Sequence, residues 1–141
     1  MERTVEILKA LGDRNRLRIV VALQSVAELC PCQVTELLQV AGATVSRHLA
    51  LLVNAGLLES RKQGRWVFHR LRLSRENRQV LEWVASSARG VAEADSDRAA
   101  IAKIIACDPT EICRRQRGHG CCPEKDESGW AESKNRRPDF M

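Results

Sequence analysis

Two short apolar periods separated by a few small residues constrain this chain more than any other feature. Val34, Leu37 and Leu38 fall at i, i+3 and i+4, and Val45, Leu49 and Leu52 at i, i+4 and i+7. Each segment therefore has one apolar stripe and one wet face, the mark of a surface helix. Between them Val40-Ala41-Gly42-Ala43 predicts a tight corner, with Gly42 the residue able to take a positive φ. Pro31 suits the first turn of the first helix, where its missing N–H is not wanted. Thr44 is expected to cap the second. The pair reads as a helix-turn-helix whose second helix exposes Ser46, Arg47 and His48. An ordinary packed helical hairpin would show the same periods, so the residues that follow decide.

Asn54-Ala55-Gly56 ends the second helix. Leu57 to Lys62 then reads as a strand, Gln63-Gly64 as a tight turn and Arg65 to Leu71 as the returning strand. Arg61, Lys62 and Arg65 crowd the tip. A basic hairpin behind a helix-turn-helix is a wing, reaching phosphate or a minor groove while the second helix lies in the major groove. A charged tip also blunts an exposed edge, which is its ordinary structural use. The expected fold is mainly α, a winged helix-turn-helix with a two-stranded hairpin. Ser46 and Arg47 are the leading candidates for groove contacts, because a guanidinium matches guanine in bidentate fashion. Gln39 and Thr44 are secondary. Lys62 and Arg65 are expected to hold phosphate, and so to set affinity and salt dependence more than sequence choice. His48 contacts the DNA backbone or packs its helix, and His69 lies on the wing surface.

Charge supports a polyanion partner. Residues 1 to 90 hold 14 Lys and Arg against 8 Asp and Glu, a net +6, and residues 91 to 141 hold 9 against 10, a net −1, which gives the chain its +5. The basic excess thus lies on the part read as DNA-binding.

The flanks are helical. Thr4 to Leu11 and Arg14 to Val26 carry broad apolar faces, and Ser74 is expected to cap Arg75 to Arg89 with Glu76 in its first turn. Residues 1 to 90 form one domain in this reading, and 91 to 141 an extension. Asp95 to Cys107 can form one more helix, while Asp108 to Met141, rich in Pro, Gly and charges, should be mobile unless something ties it down. No apolar run approaches membrane-spanning length, and Met1-Glu2-Arg3 does not open a signal peptide. A cytoplasmic protein without a membrane partner is expected.

Six cysteines remain to be explained. In a reducing compartment their clustering favours metal or redox chemistry over a disulfide scaffold. Cys30 and Cys32 sit at the mouth of the first helix of the pair, where the helix dipole favours thiolate. Thiolates exclude magnesium and calcium and leave zinc, cadmium, lead, copper(I) or trivalent arsenic. At i and i+2 on a regular helix two side chains point about 200° apart, so the first turn must loosen before both grip one atom. A ligand held there would deform the scaffold and lower DNA affinity only through its preference for the deformed state. A redox sensor would instead use Cys30 and Cys32, or Cys121 and Cys122, as an oxidisable couple. An enzyme finds little support: no cysteine is followed six residues on by arginine, and no glycine-rich phosphate cradle appears.

The run Leu11-Gly12-Asp13-Arg14-Asn15-Arg16-Leu17-Arg18-Ile19, then Glu28-Leu29-Cys30-Pro31-Cys32, Val45-Ser46-Arg47-His48-Leu49, Ala55-Gly56-Leu57-Leu58 and Arg61-Lys62-Gln63-Gly64-Arg65-Trp66-Val67 resembles the ArsR/SmtB family of bacterial metal-responsive repressors. The two-thiol Leu-Cys-x-Cys pattern is most similar to the arsenical-resistance members. The resemblance spans about residues 3 to 88. It implies a homodimeric repressor that leaves an imperfectly palindromic operator when trivalent arsenic or antimony is bound. It also implies a dimer interface built from the first and last core helices, here Ile7, Leu8, Leu81 and Val84. Two-fold symmetry would set the recognition helices about 34–36 Å apart.

The chain departs from the better-known arsenical pattern at one position. Thr35 stands where that pattern has its third thiol, so a third ligand is either absent or drawn from Cys107, Cys113, Cys121 or Cys122. Two sulfurs would satisfy a monomethylated trivalent arsenical. Cadmium and lead members add cysteines from the N-terminal arm, which has none here. Zinc members use carboxylates and histidines on the last core helix, and Arg75 to Arg89 contains no histidine. A zinc site within the tail would draw on Cys113, His119, Cys121 and Cys122, although adjacent cysteines are awkwardly spaced for it.

Overall fold

Asp13 starts the second helix of the chain, one residue after Gly12 closes the first. Its backbone is extended (φ −117°, ψ 134°) and its carboxylate accepts from the Arg16 N–H at 3.0 Å. That bond holds the Asp13 carboxyl below its ordinary pKa. Arg16 serves the other side of the corner, donating to the carbonyls of Ala10 (2.6 Å) and Lys9 (3.2 Å) in the last turn of the preceding helix, the latter also accepting from Gly12 N–H.

The computed structural model describes residues 1–64 and 66–116. In chain order its elements are α1 (Glu2–Leu11), α2 (Arg14–Leu23), α3 (Pro31–Leu38), α4 (Gly42–Asn54), β1 (Leu58–Gln63), β2 (Trp66–Leu71), α5 (Arg75–Ser87), α6 (Ala92–Ala106) and α7 (Pro109–Arg115). Helices α3 and α4 with the β1–β2 hairpin make the winged helix-turn-helix expected from the sequence. Among the described residues no helix is long and apolar enough to cross a membrane.

Local details correct several expectations. The corner between α3 and α4 takes its left-handed residue at Gln39 (φ 55°), not at Gly42, which lies inside α4. Ala41 is the cap residue of α4 and Thr44 bonds nothing there, because the helix has already begun two residues earlier. Gly56 (φ 77°) does close α4, with Gly56 N–H to Val53 O and Leu57 N–H to Leu52 O, the paired bonds of a Schellman motif. The hairpin is shifted by one residue from the reading above. Leu58 pairs with Leu71 and Gln63 with Trp66, and Gly64 follows β1 at φ 61°. Ser74 caps α5 as expected, accepting from Asn77 N–H at 3.2 Å.

One continuous core joins all the helices. Ile19, Leu23, Leu29, Leu49, Leu52 and Leu81 are fully buried, and Ile101 of α6 and Ile112 of α7 belong to the same cluster. The extension is therefore packed rather than appended, and residues 109 to 116, expected to lack fixed structure, are held. Two arginines draw α6 onto α2. Arg18 meets the buried Asp97 with two bonds, of 2.8 and 2.9 Å, and Arg14 meets Glu93 at 2.9 Å. The hydrogen bond to Asp97 raises the Arg18 guanidinium above its ordinary pKa. Asp108 caps α7 through Thr110 N–H, with Pro109 in its first turn.

Candidate nucleic-acid interface and thiol site

Helix α4 buries Val45, His48, Leu49 and Leu52, at i, i+3, i+4 and i+7. That spacing leaves Thr44, Ser46 and Arg47 exposed together, one turn beyond the exposed Gln39. Thr44, Ser46 and Arg47 are thus open to solvent in the first turns of α4, and Gln39 at the end of α3. His48 does not join them. It is only 9% exposed, with Nδ1 3.5 Å from Arg16 Nη1, so it packs α4 against the α1–α2 corner. Lys62 is exposed on β1, and Arg65 lies outside the described residues.

Arg61 was grouped with the basic tip but is turned inward. Its Nη2 and Nε donate to the Glu28 carboxylate at 2.5 and 3.2 Å, and its guanidinium lies 5.1 Å from the Phe68 ring centroid. Sequence reasoning missed this pair because Glu28 and Arg61 are 33 residues apart and neither sits in a recognisable spacing. His69 is corrected as well. Leu29 and His69 exchange backbone hydrogen bonds of 2.9 and 2.8 Å, an isolated antiparallel bridge beside the two-stranded sheet, and the His69 side chain is buried. Burial lowers the His69 pKa.

Cys30 is the N-cap of α3, with an extended backbone (φ −88°, ψ 159°), and its N–H donates to Gln33 Oε1 at 2.9 Å. Pro31 follows at the first helical position. Cys30 therefore lies outside the regular helix, so the opposed directions expected of two helical thiols at i and i+2 do not apply to it. Cys32, inside the first turn, is joined by a disulfide to Cys113 of α7, 81 residues on, with Cα atoms 5.7 Å apart. Gln116, one turn after Cys113, donates to the Cys32 carbonyl at 3.0 Å and to Glu36 Oε2 at 3.2 Å. Of the candidate third ligands, Cys113 is thus brought to Cys32. Cys107 sits half-buried at the end of α6 outside any disulfide, and Cys121 and Cys122 lie outside the described residues. Among the described residues no three His, Cys, Asp or Glu side chains are grouped to hold a metal ion. The donors that do meet are sulfurs, which suit a soft acceptor once reduced.

The proposed dimer residues separate. Ile7, Leu81 and Val84 are 4%, 0% and 2% exposed in the single chain, claimed by its own core, whereas Leu8 is 56% exposed. Val5 and Trp83, on the same two helices, are 45% and 63% exposed.

The sequence profile described as "Bacterial regulatory protein, arsR family" matches residues 13–60, from the α2 cap into β1. The arsenic resistance transcriptional regulator ArsR1 of Pseudomonas putida is 35% identical over 91 residues, 64% of this chain and 67% of that protein. The chain belongs to the arsR family. Members of this arsR family are regulators that bind operator DNA, not enzymes. The arsenical resistance operon repressor of Escherichia coli is 46% identical over 67 residues, 48% of this chain and 57% of that protein. Regulators named for cadmium resistance also match, at 39% and 41% identity. Among solved structures, HlyU from Vibrio cholerae superposes with a TM-score of 0.55 at 30% identity, covering 61% of this chain and 91% of that one, and a reduced form of HlyU gives 0.54. The matched arsR-family profile spans α2 to the start of β1, and α7 with its cysteine lies beyond it.

Proposed function

We propose that this chain is an operator-binding repressor whose DNA affinity falls when trivalent arsenic or antimony is held by Cys32 and Cys113, with Cys30 beside them. One observation carries the reading: α7 delivers a second sulfur to the first turn of α3, the helix that supports the DNA-reading helix. Thr35 leaves the third-thiol position of the arsenical pattern empty of sulfur, and Cys113 supplies one from another element. Ser46 and Arg47 read bases, Thr44 and Gln39 flank them, and Lys62 and Arg65 hold phosphate. Cytoplasmic residence goes with this role. The chain acts as a homodimer on an imperfect palindrome, joined through Val5, Leu8 and Trp83, the apolar groups of α1 and α5 left outside the core. Bound arsenic would supply strong bonds to soft sulfur. The chain's part is to hold the two thiolates together and to connect their backbone to the helix-turn-helix.

The test compares operator binding of the reduced protein with and without arsenite. Wild type should release DNA, and Cys32→Ser and Cys113→Ser should keep it bound. Equal release by all three proteins would refute the site.

The disulfide favours a second reading, in which the same sulfurs form a redox couple. Closing the bond removes two electrons and two protons from Cys32 and Cys113, taken up by hydrogen peroxide that becomes two waters or by an organic peroxide that becomes an alcohol and a water. The solved reduced form of HlyU, on the same fold, is in keeping with this. DNA release by peroxide without arsenite, reversed by dithiothreitol, would select it.

A further inference from the structure

Three consecutive residues join the thiol site to the wing. Glu28, only 8% exposed, is paired with Arg61 of β1 through two hydrogen bonds. Leu29 is laddered to His69 of β2 through both of its backbone groups. Cys30 is the cap of α3, its own N–H fixed by Gln33. No glycine interrupts this stretch, and Pro31 fixes the backbone on its far side. A displacement at Cys30 has no slack to be absorbed in before it reaches the hairpin.

Arg61 is the residue on which the link converges. It stands opposite Phe68 in the register, lies over that ring, and has its charge matched by Glu28 rather than directed to solvent. The nearly buried carboxylate accepts two charge-assisted bonds from that guanidinium, so a shift of either residue strains the pair.

We infer that the Glu28–Arg61 pair is a positioning contact that passes the state of the thiol site to the wing, so that Arg61 acts on DNA through the hairpin's placement and not by holding phosphate. This deepens the reading proposed above and rests on it only in taking the thiol site to have two states.

The experiment follows amide hydrogen exchange across residues 58 to 71 in the full chain. It compares oxidised with reduced protein, and reduced protein with and without arsenite, in wild type, Glu28→Gln, Arg61→Met and Arg61→Lys. In parallel, operator affinity is measured with and without arsenite. Wild-type hairpin amides should change exchange with the state of the thiols. Glu28→Gln and Arg61→Met should lose that response, and the ratio of arsenite-free to arsenite-loaded affinity should shrink about tenfold while arsenite binding persists. Arg61→Lys, which keeps the charge, should recover part of it. If the hairpin responds equally in wild type and Glu28→Gln, or responds in neither, the inference is overturned. If arsenite does not bind but oxidation still moves the wild-type hairpin and not the Glu28→Gln hairpin, the link stands and the arsenic reading fails. A uniform loss of affinity in Arg61→Met with a smaller salt slope and an unchanged ratio would make Arg61 a phosphate contact instead.

Discussion

Cys32 and Cys113 are separated by 81 residues and lie with their Cα atoms 5.7 Å apart, one in the first turn of α3 and the other on the helix that closes the described chain. Ile112, 1% exposed, and Gln116 share the face of α7 that bears Cys113, so the sulfur is held against α3 by packing and hydrogen bonding as well as by the covalent bond. The cross-link removes conformational freedom from a long unfolded loop. Reduction of the protein, or Cys113→Ser, is expected to cost about 2–5 kcal/mol in urea unfolding. An unchanged midpoint on reduction would mean that the bond adds nothing to α7 docking.

Arg18 and Asp97 hold α6 on the winged core. Arg18→Met would leave the Asp97 carboxylate buried without its partner, and should destabilise the protein by about 2–4 kcal/mol in the same assay. Asp97→Asn, which buries no charge, should cost less than Arg18→Met. The reverse order would show that Asp97 is not dependent on Arg18.

Arg47 and Lys62 should be separable on DNA. Arg47→Ala is expected to weaken operator binding by about 1–3 kcal/mol and to relax sequence choice. Lys62→Ala should weaken all sequences alike and reduce the salt slope by about 1. Titrations at several salt concentrations, on operator and on scrambled duplex, check both.

His69 makes stability depend on pH in a stated direction. Its imidazole is lowered below the ordinary value by burial, so below about pH 6.5 the unfolded chain binds a proton that the folded chain does not. Stability should therefore fall as the pH drops through that value towards the folded pKa, and no contribution is expected above it. Urea midpoints between about pH 7.5 and 5.5 should decline more steeply for wild type than for His69→Gln.

Trp83 and Leu8 should govern association. Leu8→Glu or Trp83→Glu places a charge on the exposed apolar surface of α1 or α5, and sedimentation equilibrium should shift towards the monomer with the fold retained. Leu81→Ala, at a residue with no exposed surface, should instead cost about 2–5 kcal/mol in stability.

The sequence carried the helix-turn-helix and wing because those elements are written in short periods. Val34 to Leu38 and Val45 to Leu52 each encode a face, and Gly56 and Gly64 mark left-handed backbone at the end of α4 and after β1. It misplaced the α3–α4 corner because the left-handed position is set by where α3 runs out, and Gln39 tolerates that conformation at modest cost. The buried and exposed sides of α5 are hard to separate in the sequence for a related reason. Helix α5 is apolar on more than one side, and periodicity alone does not say that Leu81 and Val84 face inward while the larger Trp83 faces out. Cys113 gave no local sign of its partner, although Asp108-Pro109 is a readable start for the helix that carries it. Glu28 and Arg61 illustrate the general limit: a pairing between distant loops and strands leaves no spacing to find.

The Cys32–Cys113 bond has a topological result. It closes into one covalent ring nearly all of α3, the whole of α4, both wing strands, α5, α6 and most of α7. A protease that nicks the oxidised protein once within that ring, even at the hairpin tip, would release no fragment, and the severed halves would part only when a reductant opened the ring.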